Sequence, residues 1–460
     1  MKQANAVANI VAVKTAPKSK KPFSGPANSP DKIKGFKNKK NVGEMNVKVA
    51  KIAFEYAQKN FDGFKYKLTK IRDDKGRIVI QGFEAIGIAK LVAGCRLLTY
   101  YPITPSADEA VFLEAYPEYG IKVLQAEDEL AAIAMVNGAA VMGARASTST
   151  SGPGFSLMAE GIGWAGMTEQ PIVVTHYQRG GPSTGLPTRH EQGDLLFTLH
   201  AAHGEFPRIV MAPGDVEEAF YDVVDSFNFA EKYQTPVIFI VDKHLANTTQ
   251  AMLPFNTENI KIDRGKLQTD EELLQREKII QDNGGKQIFP RYELTEDGVS
   301  PRSVPGQKGG IHWTSGDEHD IRGNITEDPI NRMRMMEKRA KKLETASKEI
   351  PIGKKVIVHG PQDADFTIVS WGSTKGSILD GIKMWETENN KQTVNFLQIK
   401  LISPLPETYI CEFLSKAKKT VSLEMNYSSQ LATYIKQKTG IEMDHEVVKY
   451  NGRAISQHEV

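Results

Sequence analysis

The chain of 460 residues contains only two cysteines, Cys95 and Cys411, and no Cys-x-x-Cys. Alone it cannot ligate an iron–sulfur cluster or a structural zinc. Both cysteines read as small buried apolar residues, and a disulfide between them is not expected. No apolar run approaches the roughly 20 residues needed to cross a bilayer. A signal-peptide core is also missing: Ala4–Val13 is weakly apolar, and Lys14, Lys18, Lys20 and Lys21 follow it. These lacks point to a cytoplasmic protein with no membrane segment. Aromatic residues are scarce at 8%, yet 40% apolar content is enough for a globular core, and the length allows two or three domains. There is no internal repeat.

The net charge of +2 conceals an uneven distribution. Residues 1–50 hold 11 lysines against Asp31 and Glu44, a balance of +9 that leaves about −7 for the remainder. Residues 1–43 are rich in Lys, Pro, Asn, Ser and Gly and read as a basic disordered tail. With only Phe23 and Phe36 interleaved, nucleic-acid binding is not expected of it. Glu44–Phe61 reads as a helix with Val49, Ile52, Ala53 and Tyr56 on one stripe, expected to dock on the body or on a partner.

From Arg77 to Met252 short apolar strands alternate with helical stretches. Strands are expected at Arg77–Gln81, Leu97–Tyr101, Ile121–Gln125, Ala144–Thr150, Pro171–Tyr177, Arg208–Ala212 and Pro236–Asp242. Helices are expected at Phe83–Ala93, Glu129–Met142 and Val216–Lys232. That alternation predicts an α/β fold with a parallel sheet covered on both faces. Residues 253–360 form a polar connection with one helix, Pro329 to Thr345. Asp328 is its expected N-cap, and Met333, Met336, Ala340 and Leu343 its expected buried stripe. Residues 361–460 return to α/β and read as a second, smaller domain.

Three polar strings follow expected strands: Tyr101-Pro-Ile-Thr-Pro-Ser106, Gln125-Ala-Glu-Asp-Glu129 and Gln178-Arg-Gly-Gly-Pro-Ser-Thr-Gly-Leu-Pro-Thr188. Ligands of open α/β sheets bind at the carboxyl ends of strands, so the three can meet at one site. Glu129 opens a helix, where the dipole favours a carboxylate; helices also begin with an acid that has no function. Arg179 stands in a glycine-rich loop, suited to a carboxylate or phosphate, or to a structural salt bridge. Thr104, Thr184 and Thr188 can add hydroxyl donors. Glu127, Asp128 and Glu129 are consecutive and do not share a helix face, so no metal site is read there. Ser151-Gly-Pro-Gly-Phe-Ser156 lacks the third glycine of a dinucleotide fingerprint and is not a Gly-x-Ser-x-Gly elbow. His176, His190, His200 and His203 make no metal spacing.

Together these strings resemble the α subunit of 2-oxoacid:ferredoxin oxidoreductases. The resemblance covers roughly residues 77–460. It is carried by YPITPS at 101–106, QAEDELAA at 125–132, TSGPGFSLMAEGIG at 150–163, QRGGPSTGLPT at 178–188, EQGDL at 191–195, EKYQTPVI at 231–238 and IVSWGSTKG at 368–376. RYELTEDGVSPR at 291–302 and ITEDPINR at 325–332 resemble the type in which a γ domain is fused ahead of the α chain. The helix within residues 44–76 is then expected to be a remnant of such a domain, with a separate γ chain allowed.

The resemblance implies a pyrimidine-type thiamine-diphosphate domain at 77–252, a connecting segment at 253–360 and a transketolase C-terminal-like domain at 361–460. It places Glu129 on N1′ of the aminopyrimidine, with Thr104, Pro105, Gly152 and Gly154 at the cofactor. Arg179 would hold the 2-oxoacid carboxylate, helped by Thr104, Thr184 and Thr188. The chain has no Gly-Asp-Gly. A β subunit is therefore expected to bring Mg²⁺ and a [4Fe–4S] cluster, with ferredoxin and coenzyme A as further partners. The implied reaction is oxidative decarboxylation of a 2-oxoacid to acyl-CoA. The competing reading is a catalytically impaired paralogue with a regulatory or assembly role.

Overall fold

A computed structural model of the chain describes residues 40–61, 63, 76–282, 288–388 and 391–460. The expected tail at 1–43 therefore lies outside the described residues except for its last four. The chain divides into two units. In the smaller one the helix Lys40–Asn60 is the expected amphipathic helix, begun four residues earlier; Val49, Ile52 and Tyr56 are all exposed.

The larger unit is built on two sheets. In chain order the strands, with the short ribbon formed by β1 and β8, are β1 (Ile78–Gln81), β2 (Leu97–Tyr100), β3 (Lys122–Gln125), β4 (Ala146–Ser151), β5 (Ile172–Gln178), β6 (Ile209–Met211), β7 (Val237–Asp242) and β8 (Thr249–Met252). They continue with β9 (Val356–His359), β10 (Phe366–Ser370), β11 (Val394–Ile399), β12 (Leu401–Ser403), β13 (Thr420–Glu424) and β14 (His445–Val448). The main sheet runs β12-β6-β7-β5-β4-β2-β3, parallel except for β12. The second runs β14-β13-β10-β11-β9, parallel except for β9. The fold class is thus the expected α/β.

Strands β4, β5 and β7 are buried at every position, as a parallel sheet covered on both faces requires. One apolar core joins the two sheets: Ile133, Phe155, Val174 and Ile238 are continuous with Trp371, Leu397, Ile399 and Leu431. Strand β12, from the C-terminal part of the chain, pairs with β6 and completes the edge of the main sheet.

The helix Pro329–Glu349 forms with the expected cap, Asp328 Oδ1 accepting from the N–H groups of Ile330 and Asn331 at 2.7 and 2.9 Å. Its expected buried stripe is corrected. Met333 and Ala340 are exposed, Met336 and Leu343 half-buried, and the buried residues are Met335, Lys338, Arg339, Lys342, Thr345 and Ala346. Cations can be buried here because acids meet them. Lys338 Nζ lies 2.5 Å from Glu169 Oε1, Lys342 Nζ lies 2.5 Å from Glu169 Oε2, and Arg339 Nη2 donates to Glu318 at 2.7 Å. Burial lowers the Lys338 and Lys342 pKa values to about 8 and about 7, against the pull of Glu169. A further helix, Asp270–Asp282, occupies the connection that was expected to contain only one.

Candidate active site

Strands β5, β4, β2 and β3 are neighbours, and each delivers one candidate group just past its carboxyl end. Arg179 follows β5, Gly152 and Gly154 follow β4, Thr104 follows β2, and Glu129 follows β3. The parallel topology therefore gathers loops distant in sequence along one sheet edge.

Glu129 is the first residue of the helix Glu129–Val141. Asp128 caps that helix by accepting from the Ala131 N–H at 2.7 Å. The cap fixes where the helix starts and sends the Glu129 side chain inward, to 4% exposure. Its carboxylate lies against Gly154: a Cβ there would stand 2.1 Å from Glu129 Oε1 and 2.2 Å from Thr150 Oγ1. Glycine is thus required at 154 for this approach, at the start of the helix Gly152–Met167. Burial raises the Glu129 pKa, and the Asp128 charge adds to the rise. No other residue among those described hydrogen-bonds this carboxylate.

A second cluster forms around Arg179, 7% exposed. Its Nη1 donates to the Thr104 carbonyl oxygen at 2.8 Å, while Nε is buried without a hydrogen-bond partner among the described residues. Burial lowers the guanidinium pKa, and the Asp194 charge opposes the change. Asp194 Oδ2 lies 3.2 Å from His176 Nε2 and would stand 2.8 Å from a Cβ at Gly152. The His176 ring is held from both sides, by Thr198 Oγ1 at 3.0 Å and by a stacked Phe155 with centroids 4.4 Å apart. Behind these groups, Tyr177 donates to Glu109 Oε2 at 2.8 Å, and Glu109 Oε1 meets Lys90 at 2.5 Å. That buried chain ties the end of β5 to the helix that follows Thr104.

The structure thus groups Glu129 with Gly154, and Arg179 with Thr104. Pro105 is buried next to the cis Thr104–Pro105 peptide bond, and Gly152 packs on Asp194. Thr104, Thr184 and Thr188 are exposed, and among the described residues neither Thr184 nor Thr188 is hydrogen-bonded to Arg179, whose bond goes to Thr104. Sequence reasoning missed Asp194, His176 and Gln192. Gln192 Nε2 reaches Trp371 O at 3.1 Å and Asp242 Oδ2 at 3.3 Å, joining the loop after β5 to the second sheet. A polar residue inside an all-buried strand was the available signal for His176. Three leucines on the same elements are exposed: Leu130 on the helix that Glu129 opens, Leu157 on the helix Gly152–Met167 and Leu124 on the edge strand β3.

The family described as pyruvate flavodoxin/ferredoxin oxidoreductase, thiamine-diphosphate-binding, matches residues 88–338. The chain belongs to this family. It is 45% identical over 433 residues to the 2-oxoacid:ferredoxin oxidoreductase subunit alpha of Saccharolobus solfataricus, a match covering 91% of this chain and 66% of that protein. It is 32% identical to the 2-oxoglutarate synthase subunit KorA of Methanocaldococcus jannaschii, over 75% of this chain and 88% of that one. A solved 2-oxoglutarate:ferredoxin oxidoreductase from Magnetococcus marinus, with 2-oxoglutarate, coenzyme A and succinyl-CoA bound, superposes with a TM-score of 0.81. It is 31% identical and covers 99% of this chain and 76% of that chain. The chain spans slightly under two thirds of the length of its α-subunit relatives, 66% in Saccharolobus and 62% in Sulfurisphaera. The match from 88 to 338 takes in all four strands that carry the candidate groups of this oxidoreductase family. Among the described residues no helix is long and apolar enough to cross a membrane.

Proposed function

We propose that the chain is the α subunit of a 2-oxoacid:ferredoxin oxidoreductase, converting a 2-oxoacid and coenzyme A to acyl-CoA and carbon dioxide while reducing ferredoxin. The observation that carries this reading is the Glu129 carboxyl group, buried, unpartnered by other described residues and wedged against Gly154. An acid left in that state suits a ligand that bonds it, and the cradle fits the aminopyrimidine of thiamine diphosphate. When bound, that cofactor supplies the carbon nucleophile and the electron sink for decarboxylation.

The chain's own residues then divide the work. Glu129 sets its carboxyl group against the pyrimidine ring nitrogen to exchange a proton there, in the manner of a general acid–base, and burial favours its protonated form. Gly154 keeps space for that carboxyl group, and Pro105 and Gly152 shape the loops on either side. Arg179 binds the substrate carboxylate through its unpaired Nε, while Nη1 stays on Thr104. The hydroxyls of Thr104, after β2, and of Thr184 and Thr188, after β5, position the substrate. A residue range of 77–252 serves as the pyrimidine-binding domain and 361–460 as the domain that backs it.

The exposed Leu124, Leu130 and Leu157, on the elements that flank Glu129 in the chain, are where a β subunit would sit. That partner brings the Mg²⁺ that holds the cofactor's diphosphate and the [4Fe–4S] cluster that passes electrons to ferredoxin. The test is to purify the chain anaerobically with a partner bearing Gly-Asp-Gly and clustered cysteines, then follow viologen reduction. Dependence on both a 2-oxoacid and coenzyme A is expected. Absence of turnover with pyruvate, 2-oxoglutarate and branched 2-oxoacids would favour the regulatory reading instead.

A further inference from the structure

Asp194 is the N-cap of the helix Leu195–His200, yet its carboxylate makes no capping hydrogen bond. An aspartate in that place normally accepts from the second or third N–H of its own helix. Here the second, the Leu196 N–H, donates instead to Gln430 Oε1 at 2.9 Å. The same amide donates from Nε2 to the Gly193 carbonyl oxygen at 2.7 Å. Gln430, the first residue of the helix Gln430–Thr439, therefore grips the chain on both sides of Asp194 and takes the bond the acid would otherwise make.

The freed carboxylate stands at the candidate active site. Its Oδ2 lies 3.2 Å from His176 Nε2 and over Gly152, where a Cβ would be 2.8 Å away. The Asp194 N–H donates at 3.0 Å to Gln178 Oε1, on the last residue of β5 and next to Arg179. Ser151 of β4 pairs with Tyr177 of β5, so Gly152 and Arg179 leave neighbouring strands at nearly the same level. Asp194 is 23% exposed there, and its charge acts on the Arg179 guanidinium.

Gln430 is itself held in place. Ser429 before it is buried at φ +46°, a conformation that residues other than glycine adopt rarely. The Gln430 N–H donates to Asn426 Oδ1 at 3.2 Å. The buried Glu424 carboxylate accepts from Asn426 Nδ2 and from the Leu431 and Ala432 N–H groups at 2.8, 2.9 and 3.0 Å. Backbone strain that its surroundings maintain in this way is typical of a position with a task.

We propose that Gln430 is a positioning residue: it caps the helix Leu195–His200 in place of Asp194 and so leaves the Asp194 carboxylate at Gly152 and Arg179. There the acid opposes the hold of Arg179 on a substrate carboxylate. That group departs as carbon dioxide, so a weaker grip on it in the ground state favours the reaction. The inference rests on the proposed function for what Arg179 binds, and not for the exchange of caps.

The test is Gln430→Ala in the assembled complex, with Asp194→Asn and the double variant beside it. Without the glutamine, Asp194 is expected to turn back onto the Leu196 N–H, so the melting curve should stay close to that of the wild type. In both single variants kcat and the KM for the 2-oxoacid are expected to fall together, each about twofold to fivefold, the scale of one partly exposed charge interaction. The double variant should fall no further, because both changes act through one carboxylate. Gln430→Glu keeps an acceptor for Leu196 and should lose less. In an active complex, a KM that rises or stays unchanged, or losses that add in the double variant, overturns the proposal. The ring signal of His176 in histidine-labelled protein reads the place of the acid without turnover. It is expected to shift in Gln430→Ala as it does in Asp194→Asn, and a signal that stays put in Gln430→Ala also overturns the proposal. A shifted signal in a complex that turns over no 2-oxoacid would remove the proposed function and leave the exchange of caps standing. Normal wild-type turnover with an unmoved signal would do the reverse.

Discussion

Arg179 Nη1 donates to the carbonyl oxygen of Thr104 at 2.8 Å, so the residue just past one strand clamps the loop leaving another. The bond spans 75 positions of sequence. It orients a buried guanidinium whose Nε is still unused. Arg179→Ala in the assembled complex is expected to raise the KM for the 2-oxoacid by about tenfold or more, the scale of a lost charge-assisted bond. Thiamine diphosphate affinity should stay close to wild type. Steady-state kinetics beside a cofactor titration checks this; cofactor loss with an unchanged KM would give Arg179 a different role.

Gly154 has no room for a methyl group, because Glu129 Oε1 and Thr150 Oγ1 occupy that volume. Gly154→Ala is expected to lower stability by about 1–3 kcal/mol, the ordinary cost of overpacking. It should also displace Glu129 and weaken cofactor binding more than Arg179→Ala does. Thermal melts with and without thiamine diphosphate would show the effect. An unchanged cofactor-induced shift would mean that the carboxyl group has another resting place.

Much of this arrangement is legible in the sequence, for physical reasons. Buried parallel strands must be short and apolar, and their polar ends announce the loops, so the positions of Thr104, Glu129 and Arg179 at strand ends could be read directly. Helix starts were legible where a cap is local, as at Asp128 and Asp328. The helix Asp270–Asp282 had such a signal too: Thr269 and Glu272 form a reciprocal capping box, with Thr269 N donating to Glu272 at 2.7 Å. What could not be read depends on distant partners. Lys338 and Lys342 look like a solvated face until Glu169 is brought to them from the other side of the chain. The pairing of β12 with β6 and the contact of Asp194 with His176 are likewise products of the folded chain.

The Glu169 carboxylate holds two buried ammonium groups, and the Lys pair holds its pKa well below the ordinary range. Removing it leaves both cations without compensation. Glu169→Ala is expected to cost about 3–5 kcal/mol, as when one partner of a buried ion pair is lost. Denaturant unfolding measures this directly, and limited proteolysis should show the helix Pro329–Glu349 loosened. A loss under about 1 kcal/mol would mean that the lysines find other acceptors.

The raised pKa of Glu129 also has a thermodynamic sign. Its folded value lies above the ordinary 4.5, so the folded state binds this proton more tightly than the unfolded one. The favourable contribution of the protonated group is complete below the unfolded value and is lost as pH rises through the folded value. Glutamine keeps the neutral form at every pH. Glu129→Gln is therefore expected to melt higher than wild type near about pH 8, with the gap closing towards about pH 4. A gap of constant size across that range would show that ionisation of Glu129 does not oppose folding.

The most direct test is turnover of the assembled oxidoreductase carrying Glu129→Ala, followed as viologen reduction dependent on a 2-oxoacid and coenzyme A. With the fold retained, activity is expected to fall by about a hundredfold or more, the span of an acid–base group. Turnover close to that of the wild type would contradict a catalytic role for this carboxyl group.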